Sequence, residues 1–148
     1  MYAKDIATPH VVQADATQSL RDAARILYRH QVSCLVVTSK HGREKVPVGM
    51  ITDRDIATAT LLEGKNADST AIASTMSRPP VICRSDSTLT EVIAIMRGSG
   101  LRRLPVVDGN GALVGIVAAD DVIAAMAELM ENLARALIVD PQLDRAYR

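Results

Sequence analysis

Phenylalanine and tryptophan are absent from this 148-residue sequence, and three tyrosines leave an aromatic content of 2%. There is no aromatic platform on which unpaired bases can stack, which argues against single-stranded nucleic acid as a ligand. An excess of either charge is also missing: Lys plus Arg is 17, Asp plus Glu is 17, and the formal net charge is zero. Nucleic-acid domains usually carry a basic excess, so a general polyanion binder is disfavoured. The apolar runs are short and broken by charges, too short for a bilayer span. The start, Met1-Tyr2-Ala3-Lys4-Asp5, shows no charged-then-apolar targeting pattern. The expected setting is cytoplasmic, with no nucleic-acid and no membrane partner.

Cysteine is scarce. Cys34 and Cys83 fit no metal or redox spacing and lie in apolar surroundings, so both are expected to be buried, reduced thiols. The histidines His10, His30 and His41 are scattered and lack metal-ligand spacing, so no metal site is expected. No Gly-x-Ser-x-Gly elbow, Walker loop or Cys/His cluster is present. No catalytic residues stand out, and the chain is not expected to be an enzyme. What is present is a 48% hydrophobic complement rich in Val, Ile, Leu, Met and Ala, ample for one compact domain or two small halves sharing a core.

The sequence repeats itself. Leu20–Leu27 aligns with Leu89–Met96, and Val32–Thr38 with Leu101–Val107, both at an offset of 69 residues. Gly49–Asp55 aligns with Gly115–Asp121 at an offset of 66, so the first copy has three extra residues between Thr38 and Gly49. Each copy reads as β-α-β-β-α. A short apolar strand opens it, at His10–Gln13 and at Val81–Cys83. A helix follows, headed by the capping boxes Ser19/Asp22 and Thr88/Glu91. The helical stripes are Leu20, Ala24, Leu27 and Leu89, Ile93, Met96, at i, i+4, i+7. Two strands rich in β-branched residues come next, joined in the second copy by the tight-turn signal Asp108-Gly109-Asn110-Gly111 and in the first by a longer charged loop, Ser39–Lys45. A second helix closes each copy, from near Arg54 and near Asp120, with Gly64 as a C-cap of the first.

A three-stranded sheet with helices on one face cannot bury its other face alone. The expected fold class is therefore α/β (α+β): two β-α-β-β-α repeats packed sheet to sheet with pseudo-two-fold symmetry. The expected boundaries are 5–64 for repeat 1, 65–71 for a polar linker, 72–137 for repeat 2 with an extended C-terminal helix, and 138–148 for a flexible tail.

This pattern resembles the CBS (cystathionine β-synthase) domain, two of which in tandem form a Bateman module. The resemblance rests on Gly49-Met-Ile-Thr-Asp-Arg-Asp55, on Leu104-Pro-Val-Val-Asp108 and on Gly115-Ile-Val-Ala-Ala-Asp-Asp121. Each motif alone is weak, but two in register are specific, and they cover about Asp5 to Met126. The resemblance implies a regulatory module that binds an adenosine-containing ligand between the repeats: AMP, ADP, ATP, NAD or S-adenosylmethionine. It also implies pairing of modules into disc-shaped dimers.

The residues permit this reading. Thr52 sits at a strand-to-helix junction, where its hydroxyl can cap the helix or meet a phosphate oxygen, and the helix N-terminus favours an anion. Asp55 can accept two hydrogen bonds from a ribose diol. Thr52-x-x-Asp55 is equally a capping box, worth about 1 kcal/mol, and that purely structural role stays open. In the second copy Ala118 offers no hydroxyl, Asp121 can still hold a ribose, and Asp120 repels a phosphate. Two unequal clefts are expected, the one with Thr52 and Asp55 being the better. Arg54, Arg102 and Arg103 are the candidate phosphate partners. Strand alternation lets at most one of Arg102 and Arg103 face the cleft. Backbone around Val11–Val12 and Val81–Ile82 would form the adenine slot, and His10 could line a cleft.

From Asp121 the helical pattern continues to Leu137. Val122, Met126, Leu129, Leu133 and Leu137, widened by Ile123 and Met130, form a longer apolar stripe than the repeat needs. A homodimer through this helix is expected, together with an unidentified target protein. The alternative function is a ligand-independent dimerisation or protein-interaction module.

Overall fold

The computed structural model describes residues 1–138. The expected flexible tail lies, from residue 139 on, outside the described residues. Two three-stranded sheets form. In the first, β1 (Gln13–Asp15) runs parallel to β2 (Cys34–His41), which pairs antiparallel with β3 (Glu44–Thr52). In the second, β4 (Cys83–Arg84), β5 (Arg103–Val107) and β6 (Leu113–Ala118) repeat that order and those directions. Helix α2 (Leu20–His30) joins β1 to β2, and α4 (Leu89–Ser99) joins β4 to β5. The closing helices are α3 (Asp53–Ala57), which runs on into a π-helical turn at Thr58–Leu62, and α5 (Ala119–Leu137).

The capping boxes form as the sequence predicts. Ser19 and Asp22 bond reciprocally at 3.1 and 3.2 Å, and Thr88 and Glu91 at 2.7 and 3.2 Å. The buried stripes are rotated by one residue from expectation. Ala23 and Val92, not Ala24 and Ile93, lie between the buried or half-buried ends of each stripe. Both helices thus bury i, i+3, i+7, the other spacing compatible with a 3.6-residue turn.

The opening strands start later than predicted, at Gln13 and Cys83, because the residues before them belong to the opposite half. A short helix α1 (Ala3–Ile6) packs on the second repeat, where Ala3 is fully buried. Ala3 N–H donates to Ser87 O (2.7 Å), and Thr8 and Ile116 exchange backbone hydrogen bonds of 2.9 and 3.0 Å. Its counterpart, a 3₁₀ turn at Ile72–Ser74, packs on the first repeat, where Ile72 is fully buried. Ile72 N–H donates to Gln18 O (2.8 Å), and Ser77 and Met50 exchange bonds of 2.9 and 3.0 Å. Thr8 and Ser77 are 69 residues apart, and Met50 and Ile116 are 66 apart, so the exchange obeys the sequence repeat. Residues 65–71 take part in it. Arg21 pairs with Asp68, and its N–H donates to Ala67 O (3.0 Å).

Glycine makes this exchange possible. A Cβ on Gly49 would stand 2.8 Å from Ser77 O and 2.5 Å from Met76 Sδ. On Gly115 it would stand 3.0 Å from Ala7 Cβ and 3.1 Å from Thr8 O. Only a residue without a side chain lets the incoming segment approach so closely. Between its two attachments each segment must cross from one half to the other, at residues 9–12 and 78–82. These crossings place backbone and apolar side chains between the repeats.

Candidate functional site

One crossing roofs a cavity of about 300 Å³ between the repeats. From the first repeat come Cys34, Met50, Thr52 and Asp55. The crossing contributes Ser77, Pro79, Pro80 and Val81, and the second repeat contributes Leu101, Arg102 and Arg103. The lining is mostly apolar and includes hydroxyl, carboxylate and guanidinium groups. That is the usual make-up of a small-molecule cleft.

Thr52 ends β3 and caps α3. Asp55 N–H donates to Thr52 Oγ1 (3.1 Å), and Thr52 N–H donates to Asp55 Oδ2 (2.9 Å). The capping box is complete, yet it leaves groups to spare. The Thr52 hydroxyl keeps its own proton to donate, and no donor among the described residues bonds Asp55 Oδ1. Capping and ligand recognition are therefore compatible roles. The α-helical part of α3 is only five residues long. Positive charge at this cleft comes chiefly from arginine rather than from a helix terminus.

Arg102 and Arg103 both line the cavity, contrary to the alternation argument. Alternation applies within a strand, and β5 begins only at Arg103. Arg102 lies in the bend before it and is free to turn the same way. Both are exposed, and among the described residues neither makes an ion pair. Cys34 is a correction. It is half-buried and lines the cavity, because it opens β2 directly opposite Thr52. Burial raises its thiol, the Arg103 guanidinium opposes this, and Asp55 and Asp53 reinforce it. Cys83 is buried as expected, and burial pushes its thiol up to about 11.

The remaining candidates lie outside this cavity. Arg54 lines a separate polar groove on the far side of Asp55, with Thr58, Glu63 and Lys65. Ile82 turns away from Val81 into a groove beside α4. His10 is exposed, and Val12 packs on the first core. His10, Val11 and Val12 form the other crossing, equivalent by the repeat to Pro79, Pro80 and Val81. The repeat carries the Thr52 cavity onto their side, where Ala118 and Asp121 replace Thr52 and Asp55. There Ala118 N–H donates to Asp121 Oδ2 (2.7 Å), so half of the capping box survives.

Met50, Ser77, Pro79, Pro80 and Leu101 line the cleft without having been anticipated. The Pro79-Pro80 pair was the available signal, since two consecutive prolines cannot belong to a paired strand. Among the described residues no three His, Cys, Asp or Glu side chains gather as metal ligands, and no helix is long and apolar enough to cross a membrane.

The CBS domain family model matches the chain twice, over residues 3–61 and 71–128. The chain is 35% identical over 118 residues to the CBS domain-containing protein YhcV of Bacillus subtilis, covering 80% of each. It is 30% identical over 119 residues to protein MK0525 of Methanopyrus kandleri, which is 80% of this chain but only 59% of that protein's length. Among solved structures it resembles the CBS domain pair of protein MJ0100 in complex with 5′-methylthioadenosine and S-adenosyl-L-methionine. That match has a TM-score of 0.71 and 29% identity, over 86% of this chain and 97% of that one. The two matched repeats, their shared register and the two equivalent sheets lead to one conclusion: the chain belongs to the CBS domain family, as a tandem CBS pair.

Proposed function

We propose that this CBS pair is a regulatory sensor that binds a phosphorylated adenosine in the Thr52 cleft and relays its occupancy to a partner protein. The observation that carries the reading is convergence. Thr52 and Asp55 from one repeat, and Arg102 and Arg103 from the other, meet at one cavity. In this reading Asp55 accepts from the ribose diol, and the Thr52 hydroxyl donates to a phosphate. Arg102 and Arg103 pair with the phosphate, while Val81, the prolines and Met50 hold the adenine. A phosphate about 4 Å from a guanidinium gains about 1 to 4 kcal/mol between the water and protein-surface limits. The sulfonium of S-adenosylmethionine is repelled by the same charges. AMP, ADP, ATP or NAD are therefore favoured over S-adenosylmethionine, although the MJ0100 pair holds the latter.

The partner surface is α5. Ile123, Met130 and Leu133 are 65%, 71% and 63% exposed, while Val122 and Ala125 face the core. An apolar stripe left uncovered by its own module suits a second copy of the chain, in a homodimer built through these helices. Occupancy then acts by favouring one arrangement of the pair over another. The second reading is a ligand-independent dimerisation module. The complete Thr52/Asp55 capping box and the exposed α5 stripe favour it.

Calorimetric titration of nucleotide-free protein with AMP, ADP, ATP, NAD and S-adenosylmethionine separates the two. Saturable binding of a phosphorylated adenosine, weakened by about ten- to a hundredfold in Asp55→Ala, is the expected result. No heat and no thermal stabilisation from any of them supports the dimerisation module instead.

A further inference from the structure

The pseudo-two-fold matches one arginine with a thiol, and both line the cavity beside Thr52. Cys34 opens β2 and Arg103 opens β5, 69 residues apart at equivalent positions. Cys34 pairs across its sheet with Thr52, and Arg103 pairs across its sheet with Ala118. Each is the cross-strand neighbour of the residue that heads one cleft. Yet both line the same cavity, the one beside Thr52. The repeat operation carries the Thr52 cavity onto the Ala118 side and exchanges Cys34 with Arg103, so the two positions that border the first also border the second. The backbone of Arg103 belongs to the Ala118 side, and the residue also lines the Thr52 side. Its counterpart is a thiol, which brings no charge to a phosphate. Arg102, the other guanidinium at the Thr52 cleft, is matched in the first repeat by Ser33.

We infer that Arg103 is shared by the two clefts, so that the chain holds one phosphorylated adenosine at a time. This rests on the nucleotide reading above. A guanidinium is a single planar fork that pairs bidentately with one phosphate. Two phosphates drawn to one cation from opposite sides also repel each other. Occupancy of either cleft therefore weakens the other, and the coupling is reciprocal.

Titration of the full chain with AMP tests this, with thermal melts to confirm that each variant is folded. Wild type is expected to take one AMP per chain. Ala118→Thr supplies the hydroxyl that the second cleft lacks, and it is still expected to take one, any second site being weaker by at least about fivefold. Adding Asp55→Ala to A118T is expected to weaken AMP by no more than about tenfold, because the ligand moves to the second cleft, where Asp121 replaces Asp55. Arg103→Ala is expected to weaken AMP by about tenfold or more both in wild type and in A118T/D55A. Two equally tight AMP molecules per chain in A118T would overturn the sharing and leave the nucleotide reading standing. So would complete loss of AMP in A118T/D55A, or an R103A effect confined to one of the two backgrounds. Failure of wild type to bind any of AMP, ADP, ATP, NAD or S-adenosylmethionine removes the nucleotide reading itself, and the sharing with it.

Discussion

The two repeats of this chain share strand order, strand directions, capped first helices and a reciprocal exchange of opening segments. They differ where those shared elements turn toward the space between them. Thr52 faces Ala118 across the symmetry, and Cys34 faces Arg103. The β2–β3 hairpin is also longer than β5–β6, with strands of eight and nine residues against five and six. The carboxylate and valine of the cleft are held alike in both halves, as Asp55/Asp121 and Val81/Val12, whereas the hydroxyl and the cations are not. The first helix of each repeat keeps its full cap, whereas the closing helix keeps a capping hydroxyl only at Thr52.

The exchange of opening segments gives the largest expected effect. Gly49→Ala brings a Cβ to 2.8 Å from a backbone oxygen, and overpacking of this kind costs about 2–3 kcal/mol. Gly115→Ala meets its neighbours at 3.0 and 3.1 Å and is expected to cost about 1 kcal/mol. Urea denaturation of the two variants measures the difference, and equal costs would break the structural side of the comparison.

The clefts come next. Asp55→Ala removes a charged acceptor, worth about 1.5–3 kcal/mol, and is expected to weaken AMP by about ten- to a hundredfold. Asp121→Ala in the wild type should change AMP affinity less than about twofold, because the ligand sits in the other cleft. Equal losses from the two changes would mean that the clefts are equivalent.

Caps sharpen the contrast between fold and site. Ser19→Ala and Thr88→Ala each remove one half of a complete capping box, and each is expected to cost about 1 kcal/mol. Ala118→Thr completes the half-box that Asp121 already provides and is expected to stabilise the chain by about 0.5–1 kcal/mol. Thermal melts of the three variants check these figures.

The smallest effect is chemical. Both thiols are raised by burial, Cys83 to about 11, so the reactive thiolate is scarce at neutral pH and alkylation of either accelerates as pH rises. Cys34 lines the cleft and should react first with iodoacetamide, and AMP should slow it. Cys83 should remain slow with or without AMP. Peptide mass mapping reads both rates.

Much of the fold was legible because its signals are local. Capping boxes, the tight turn at Asp108–Gly111 and the apolar runs of β2 and β5 act over a few residues, and their recurrence fixed the repeat. The exchange was not legible. Ala3 and Ile72 look like any small apolar residues near a helix, and only long-range packing shows that each serves the opposite repeat. The same cause moved the opening strands, since His10–Val12 and Pro79–Val81 are crossings between the halves and not paired strand residues. Thr52 and Asp55 were readable as candidates because a motif carries them, and both line the cavity. Cys34 was not, because one half-buried cysteine in an apolar run looks the same in sequence whether it faces core or cleft. Arg102 and Arg103 were readable as cations but not in direction, which depends on where β5 begins.

The most direct test of the central claim is a crystal structure of the chain grown with AMP. One adenosine is expected in the Thr52 cleft, its ribose on Asp55, its phosphate between Thr52 and the guanidinium groups of Arg102 and Arg103, with no nucleotide beside Ala118. AMP bound beside Ala118 and Asp121 instead, or held with its phosphate away from both arginines, would contradict it.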